Sequence, residues 1–250
     1  NMHLPMIESG MISKGIDRRK LLVTYHCDIH LPDSAFNRLI LKCMDFSNRI
    51  CLKKSCRIAV QTKDYAGHSR VAYRYQDKFT ETATPIKDYN RKEVTHEKGK
   101  TVIGFCGRLV QEKGIDVLLK AYEILCREAE PLILKIGGDY KGVAGGSIYA
   151  DLKRYVEDHH LQNVVFTGKL REEEMEEFYS SLDVFVLPSI NSLEAFGMVQ
   201  VEAMYCGTPV VATDLYGVRT IVEKTGMGVV VKRNNPESLA EGLREVLCHK

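Results

Sequence analysis

From Thr101 onward the sequence repeats one unit six times: a short, almost wholly apolar run followed by a stretch with apolar residues at helical spacing. The runs are TVIGFCG, PLILKIGG, NVVFTG, DVFVLPS, TPVVATD and GMGVVVK. After the first of them, Ile115, Leu118, Leu119, Tyr122 and Leu125 fall on one helical face. Strands that apolar need both faces covered, and strands that alternate with helices need crossover connections. Together these constraints predict a parallel, doubly wound Rossmann-like sheet, whose ligand belongs at the carboxyl ends of the strands.

The first hundred residues are less regular. LLVTYHC and RIAVQT read as buried strands, and Phe36, Leu39, Ile40, Cys43, Ser47 and Ile50 recur at helical spacing. A further helix is expected from about Ala66. The first twenty residues show no strand and no Gly-rich turn, so an opening portion of this domain is expected to be missing. The polar, charged stretch DYNRKEVTHEKGK at 88–100 reads as a linker. The expected organisation is a partial N-terminal α/β domain over 1–97 and a Rossmann-like nucleotide-sugar domain over 98–250.

Composition narrows the partners. The net charge of +2 divides into +6 over residues 1–97 and −4 over the remainder. The first part can therefore meet an acidic surface such as phospholipid, while nucleic acid is not among the expected partners. No run approaches a membrane span and no signal segment opens the chain, which predicts a cytoplasmic protein, membrane-associated through its basic part. The eight cysteines include no CxxC and read as reduced core thiols.

Chemistry concentrates between Leu187 and Asp214, in LPSINSLEAFGMVQVEAMYCGTPVVATD. A helix beginning near Phe196 would aim the unpaired N–H groups of Phe196, Gly197, Met198 and Val199 out of its N-terminus, which is an anion site. Glu202 would then lie about 12 Å along the axis from Glu194, too far for an acid/base pair on one bond and suited to accepting polyol hydroxyls. Val199, Val201, Ala203 and Met204 make this helix apolar around much of its circumference. A charge at Glu202 therefore calls for a polar partner.

Arg108 and Lys113, in GRLVQEKG, follow the first strand of the second domain and can neutralise a diphosphate, Arg through its planar fork and Lys as a point charge. Gly138 ends the next strand and Gly168-Lys169-Leu170 the one after. Both places can bring backbone close to a nucleotide. The GVAGGS run at 142–147 is not a dinucleotide fingerprint. His26 and His30 have HxxxH spacing, but Pro32 follows and no third ligand is near, so no metal is expected. His26 or Asp28 is instead a polar group at a strand's carboxyl end.

GRLVQEKG, followed by EAFGMVQVEAMYCGTPVVATDLYGV, resembles the C-terminal domain of the retaining GT-B glycosyltransferases of family four, whose mark is Glu-x7-Glu. The resemblance covers 101–250 and, more weakly, 21–86. It implies transfer of a hexose from UDP- or GDP-hexose to a glycan or lipid-linked acceptor with retention of configuration and without a metal. By it, Arg108 and Lys113 bind the donor diphosphate, Glu194 the transferred sugar and Glu202 the ribose. Phe196 and Gly197 offer amides, Lys169-Leu170 meets the base, and His26 matches the family histidine near the sugar. The chain departs from the family in its short length, in lacking the opening glycine-rich loop, and in ending near Leu247 within the final helix. A nucleotide-sugar-binding module without turnover and a GT-B sugar-nucleotide epimerase are the two other classes the residues allow.

Overall fold

The computed structural model describes residues 1–83, 85–94, 99–128, 131–141, 143 and 146–248. The chain forms two compact units. One consists of Asn1–Pro85, Ser192–Phe196 and Tyr216–Thr220, and the other of Ile86–Asn191, Gly197–Leu215 and Ile221–Lys250.

The first unit is built on a parallel sheet of β1 (Met2–Leu4), β2 (Leu22–Tyr25), β3 (Arg57–Val60) and β4 (Phe79–Glu81), in that spatial order. Between the strands lie α1 (Ser9–Lys14), α2 (Ala35–Lys54) and α3 (Lys63–His68). The first twenty residues thus contain a strand, contrary to the sequence expectation, and also a helix. A three-residue strand offers one alternation of faces, too little for a periodic signal. Helix α3 also begins at Lys63 rather than Ala66, because Thr62 caps it by accepting from the Tyr65 N–H at 3.1 Å.

Helix α2 forms where the spacing places it, capped by Ser34, whose Oγ accepts from the Asn37 N–H at 3.0 Å. Its buried face is rotated from that series, which meets it only along the Ser47 edge. Asn48, Cys51 and Leu52 are buried, whereas Phe36, Leu39 and Cys43 of the series are exposed, Cys43 contrary to its reading as a core thiol. Small polar groups decide this. The Gly10 N–H donates to Ser47 Oγ at 2.8 Å, and the Met6 N–H and Ser9 Oγ donate to Asn48 Oδ1 at 3.2 and 2.9 Å. A Cβ on Gly10 would stand 2.9 Å from the Ser47 carbonyl, so α1 and α2 approach more closely than large side chains would allow. The C-terminal carbonyls of α2 are gathered by Lys78, whose Nζ donates to Leu52 O, Lys53 O and Ser55 O at 2.9, 2.7 and 2.9 Å. A cation there satisfies orphan acceptors and meets the negative end of the helix dipole.

The second unit carries a six-stranded parallel sheet in the order β10-β9-β8-β5-β6-β7. The strands are β5 (Thr101–Cys106), β6 (Leu132–Gly137), β7 (Val164–Gly168), β8 (Val184–Leu187), β9 (Val210–Thr213) and β10 (Gly228–Val231), one for each apolar run in the sequence. The helices are α4 (Ile115–Cys126), α5 (Tyr149–Asp158), α6 (Met175–Ser180), α7 (Met198–Tyr205), α8 (Val218–Thr225) and α9 (Pro236–Cys248). All five residues of the α4 series are buried, the four aliphatic ones each stabilising the fold by about 1.5–3 kcal/mol. Tyr122 among them satisfies its hydroxyl on Leu132 O and Gln162 O, at 2.9 and 2.8 Å.

The charged stretch read as a linker has no regular structure over 86–94, and 95–98 lie outside the described residues. Its described part is fastened to α6. The Asn90 N–H donates to Glu176 Oε1 at 3.0 Å and the Lys92 N–H to Ser180 Oγ at 2.9 Å. Of the GVAGGS run, 142, 144 and 145 lie outside the described residues. All eight cysteines are free, but only Cys51, Cys106 and Cys206 are buried, so the core-thiol expectation fails for Cys43, Cys56, Cys126 and Cys248, which are exposed.

At the carboxyl edge of the large sheet the backbones beyond β5 and β6 meet without room for a side chain. Gly138 has φ 146°, and a Cβ there would stand 1.7 Å from the Gly107 carbonyl oxygen. Gly226 also has positive φ, at 67°, but its Cβ would meet nothing within 4 Å. Gly138→Ala is therefore expected to lower unfolding stability by about 3 kcal/mol or more, against about 1–2 kcal/mol for Gly226→Ala. Urea denaturation midpoints of the two variants check this; equal losses would show that the backbone contact carries no weight.

Candidate functional site

In an open parallel sheet, the crevice for a ligand lies where consecutive strands diverge to opposite sides. Here that point is between β5 and β8: the sheet runs from β5 to β6 and β7 on one side, and to β8, β9 and β10 on the other. Beyond β5 the chain passes through Arg108 and a 3-10 turn, Gln111–Lys113, to Gly114, whose left-handed conformation (φ 64°) starts α4. Beyond β8 it runs through Pro188 to Ile190, whose N–H donates to the Glu112 carbonyl at 3.0 Å. The two arms of the crevice therefore abut.

Arg108 is exposed, and its guanidinium meets Glu112 Oε1 at 2.8 Å within the loop; Lys113 is half-buried. Helix α7 begins at Met198, two residues later than the sequence suggests, because Gly197 caps it at φ 74°. A Cβ on Gly197 would stand 2.4 Å from Leu187 Cδ2, so a side chain is excluded there. The Gln200 N–H turns back to Gly197 O at 3.1 Å. The amides of Met198 and Val199 have no partner within the helix, and the first turn holds no acidic residue. Glu194 precedes the helix, so the axial rise used to place it about 12 Å from Glu202 does not apply to it.

Glu202 has the polar partner its apolar helix demands. Tyr179 Oη donates to Glu202 Oε2 at 2.8 Å, and among the described residues this is the only hydrogen bond to that carboxylate. Burial raises the Glu202 pKa, and the Tyr179 bond offsets part of the rise. The same enclosure acts on its neighbours. Burial, then the Glu202 charge, pushes the Cys106 thiol up to about 12, and the same two causes lead in pushing Tyr89 up to about 12. Glu202 is thus a half-buried acceptor with an oxygen left for a hydroxyl donor.

The carboxyl ends of β6 and β7 are stitched to this edge. The Gly138 N–H donates to Gly168 O at 2.8 Å, the Gly107 N–H to Gly137 O at 3.0 Å, and the Leu109 N–H to Asp139 O at 3.2 Å. Gly138 therefore brings backbone to the edge while its own amide is engaged. Lys169 is exposed and Leu170 half-buried in the turn after β7.

Glu194, Phe196 and His26 lie in the first unit. Glu194 is half-buried in a segment held at both sides: Tyr65 Oη donates to Ser192 O at 3.0 Å, and Ala195 is buried in that unit's core. His26 follows β2, and its Nε2 shares a hydrogen bond with His3 Nδ1 at 2.9 Å, the rings lying 5.2 Å apart and 13° from parallel. Burial, then the neighbouring His3, lowers the His26 pKa and favours the neutral ring. Asp28 is a structural group: its buried carboxylate accepts from Tyr25 Oη, from Ser69 Oγ at 2.8 Å and from the Arg70 N–H at 3.0 Å. His30 instead shares a hydrogen bond with Ser192 Oγ at 3.3 Å. Among the described residues no group of three His, Cys, Asp or Glu side chains is placed to hold a metal ion.

Two features escaped the sequence reading. His3 is one, since nothing marks a histidine in a three-residue strand as the neighbour of His26. Asp64 is the other: it accepts from the Gly217 N–H at 2.9 Å, from Arg219 Nε and Nη2 at 3.0 and 2.7 Å, and from Thr220 Oγ1 at 3.3 Å. Burial alone would raise the Asp64 pKa, but these donors outweigh it and the net shift is downward.

With this geometry in hand, residues 86–250 match the family described as Glycosyl transferases group 1, and the chain belongs to that family. It is 34% identical over 174 residues to D-inositol 3-phosphate glycosyltransferase of Corynebacterium jeikeium, a match covering 68% of this chain and 41% of that protein. Its fold resembles sucrose-phosphate synthase from Thermosynechococcus elongatus (TM-score 0.71, 22% identity, 91% of this chain and 58% of that one). It also resembles HepE from Anabaena, solved in complex with UDP (TM-score 0.64, 19% identity, 89% and 62%). The fold is GT-B-like, as the two parallel sheets indicate. The chain spans less than two thirds of the length of each of these proteins.

The raised Glu202 pKa has a definite consequence for stability. A group with a raised folded pKa contributes stability that is fully present below its unfolded value, near 4.5, and lost as pH rises through the folded value. Glu202→Gln removes this dependence while keeping an acceptor for Tyr179. The variant's melting temperature is expected to rise relative to the parent protein as pH goes from 4.5 to neutrality, in paired melts across that range. A constant difference would show that Glu202 is not desolvated.

Proposed function

We propose that this protein transfers a hexose from a nucleoside diphosphate sugar, UDP- or GDP-hexose, to a glycan or lipid-linked acceptor with retention of anomeric configuration. The observation that carries this reading is the divergence of the strands between β5 and β8. There the loop of Arg108 and Lys113 abuts the arm leading to α7. The same helix presents open amides at Met198 and Val199 and a half-buried carboxylate at Glu202.

In this reading the diphosphate binds the helix N-terminus, with Gly197, Met198 and Val199 supplying amides and Phe196 another just before them. Arg108 and Lys113 neutralise it, Glu112 holding the Arg108 guanidinium in the loop. Glu202, already oriented by Tyr179, takes ribose hydroxyls through its remaining oxygen. Lys169 and Leu170 face the base, with Gly138 bringing backbone close. Glu194 accepts hydroxyls of the transferred sugar, and a neutral His26 serves beside that sugar.

Retention by the front-face route implied by the family requires no enzymic nucleophile. The acceptor attacks on the side from which the diphosphate leaves, the bond to the leaving oxygen breaks, and that diphosphate takes the acceptor's proton. Charge grows on the leaving group, so fixed cations and amides lower the barrier, each such donor contributing about 3–4 kcal/mol by oxyanion-hole precedent. The cations fill the role a metal would otherwise have. That HepE was solved with UDP supports a uridine nucleotide. We place the protein in the cytoplasm, with its basic first part toward a membrane-borne acceptor.

The test combines binding and turnover. UDP- or GDP-hexose is expected to raise the melting temperature, a stabilisation of about 2.7 kcal/mol when the ligand is at a hundred times its Kd. Arg108→Ala should weaken nucleotide affinity by about tenfold or more. Glu194→Ala should keep UDP binding and lose sugar transfer. Nucleotide protection without sugar release by the parent chain would make it a binding module; full turnover in Glu194→Ala would refute the site.

A further inference from the structure

Helix α2 buries only one of its faces. Asn48, Cys51 and Leu52 bury one face against the unit's core. On the far side Phe36, Leu39, Cys43 and Phe46 recur at helical spacing and stand in solvent, the three large ones 71%, 59% and 67% exposed. Beside this stripe, again at helical spacing, run Arg38, Lys42, Arg49 and Lys53, all exposed. The one acidic residue of the helix, Asp45, is withdrawn from this surface: Arg70 grips its carboxylate through Nε and Nη2 at 2.8 and 3.1 Å. Adjoining α1 adds Met11, 74% exposed.

A row of large apolar side chains in water marks an interaction surface when it is continuous, and here a basic border specifies the partner. An interfacial helix has this construction: an apolar stripe that enters the headgroup boundary, flanked by Lys and Arg that meet lipid phosphates. A second copy of the chain fits less well, because pairing the stripes would set the two basic borders against each other. We propose that the outer face of α2 seats the protein on an anionic membrane surface, Phe36, Leu39 and Phe46 entering the lipid and Lys42, Arg49 and Lys53 contacting phosphates. This gives the membrane-borne acceptor proposed above a docking surface, but it rests on α2 alone.

The experiment is flotation of the full chain with vesicles of phosphatidylcholine alone and of phosphatidylcholine with about a third phosphatidylglycerol. The chain is expected to float with the anionic vesicles, less so as salt rises. Combined Phe36→Ser, Leu39→Ser and Phe46→Ser should reduce that partition by about tenfold or more while leaving the melting temperature unchanged, since the replaced groups are exposed. Should that variant fold poorly, Lys42→Glu with Lys53→Glu provides an independent loss of binding and of salt dependence. Equal partition onto the two vesicle types, unaltered binding by these variants, or a stripe-dependent dimer without vesicle binding would overturn the proposal. None of these readouts involves nucleotide or sugar, so their failure leaves the donor site untouched.

Discussion

A backbone contact that admits no side chain governs the working edge of this molecule. Gly138, at φ 146°, lies so close to the Gly107 carbonyl that a methyl group would overlap it. Around that contact the ends of β5, β6 and β7 are stitched by amide hydrogen bonds, from Gly107 to Gly137 and from Gly138 to Gly168. The next residue after Gly107 is Arg108. The loop carrying the cations thus starts from a fixed backbone, and the abutting arm beyond β8 leads to α7 with its own glycine cap. Preorganisation of this kind lets charges and amides act on a ligand without first being ordered.

Glu202 shows what such a scaffold can hold. A carboxylate between Tyr179, Tyr89 and Cys106 is costly to ionise, and the fold retains it with one phenolic donor. Elsewhere polar groups that a core would ordinarily exclude are satisfied several times over. Asp28 draws donors from Tyr25, Ser69 and the Arg70 amide, and Asp64 from Gly217, Arg219 and Thr220. Those networks stabilise; Glu202 is sparsely bonded by comparison, and in the proposed function it takes a hydroxyl.

Much of the larger unit was legible because parallel strands bury both faces. Each of the six apolar runs became a strand, and the α4 series became core. The need for a partner at Glu202 was also readable, although the partner itself, 23 residues earlier, was not. The start of α7 was misplaced because Gly197 in the left-handed region postpones the helix. Helix α2 lies where the spacing puts it, but only the Ser47 edge of the series turns inward: helical spacing defines a stripe without saying how far the Ser47 and Asn48 hydrogen bonds rotate it. Strand β1 was too short to show a period. The Asp64 clamp on Gly217 joins residues more than 150 positions apart, a separation no local pattern spans.

The proposed function stands or falls on a nucleoside diphosphate binding where the sheet diverges between β5 and β8. Amide chemical-shift mapping of the isotope-labelled chain during a UDP titration tests it directly. Saturable shifts are expected at Gly107–Lys113, Gly138 and Gly197–Glu202, strongest at Met198 and Val199. Saturable shifts centred elsewhere, such as the 480 Å³ cleft beside Glu123 and His159 at the amino ends of β6 and β7, with those amides unmoved, would contradict it.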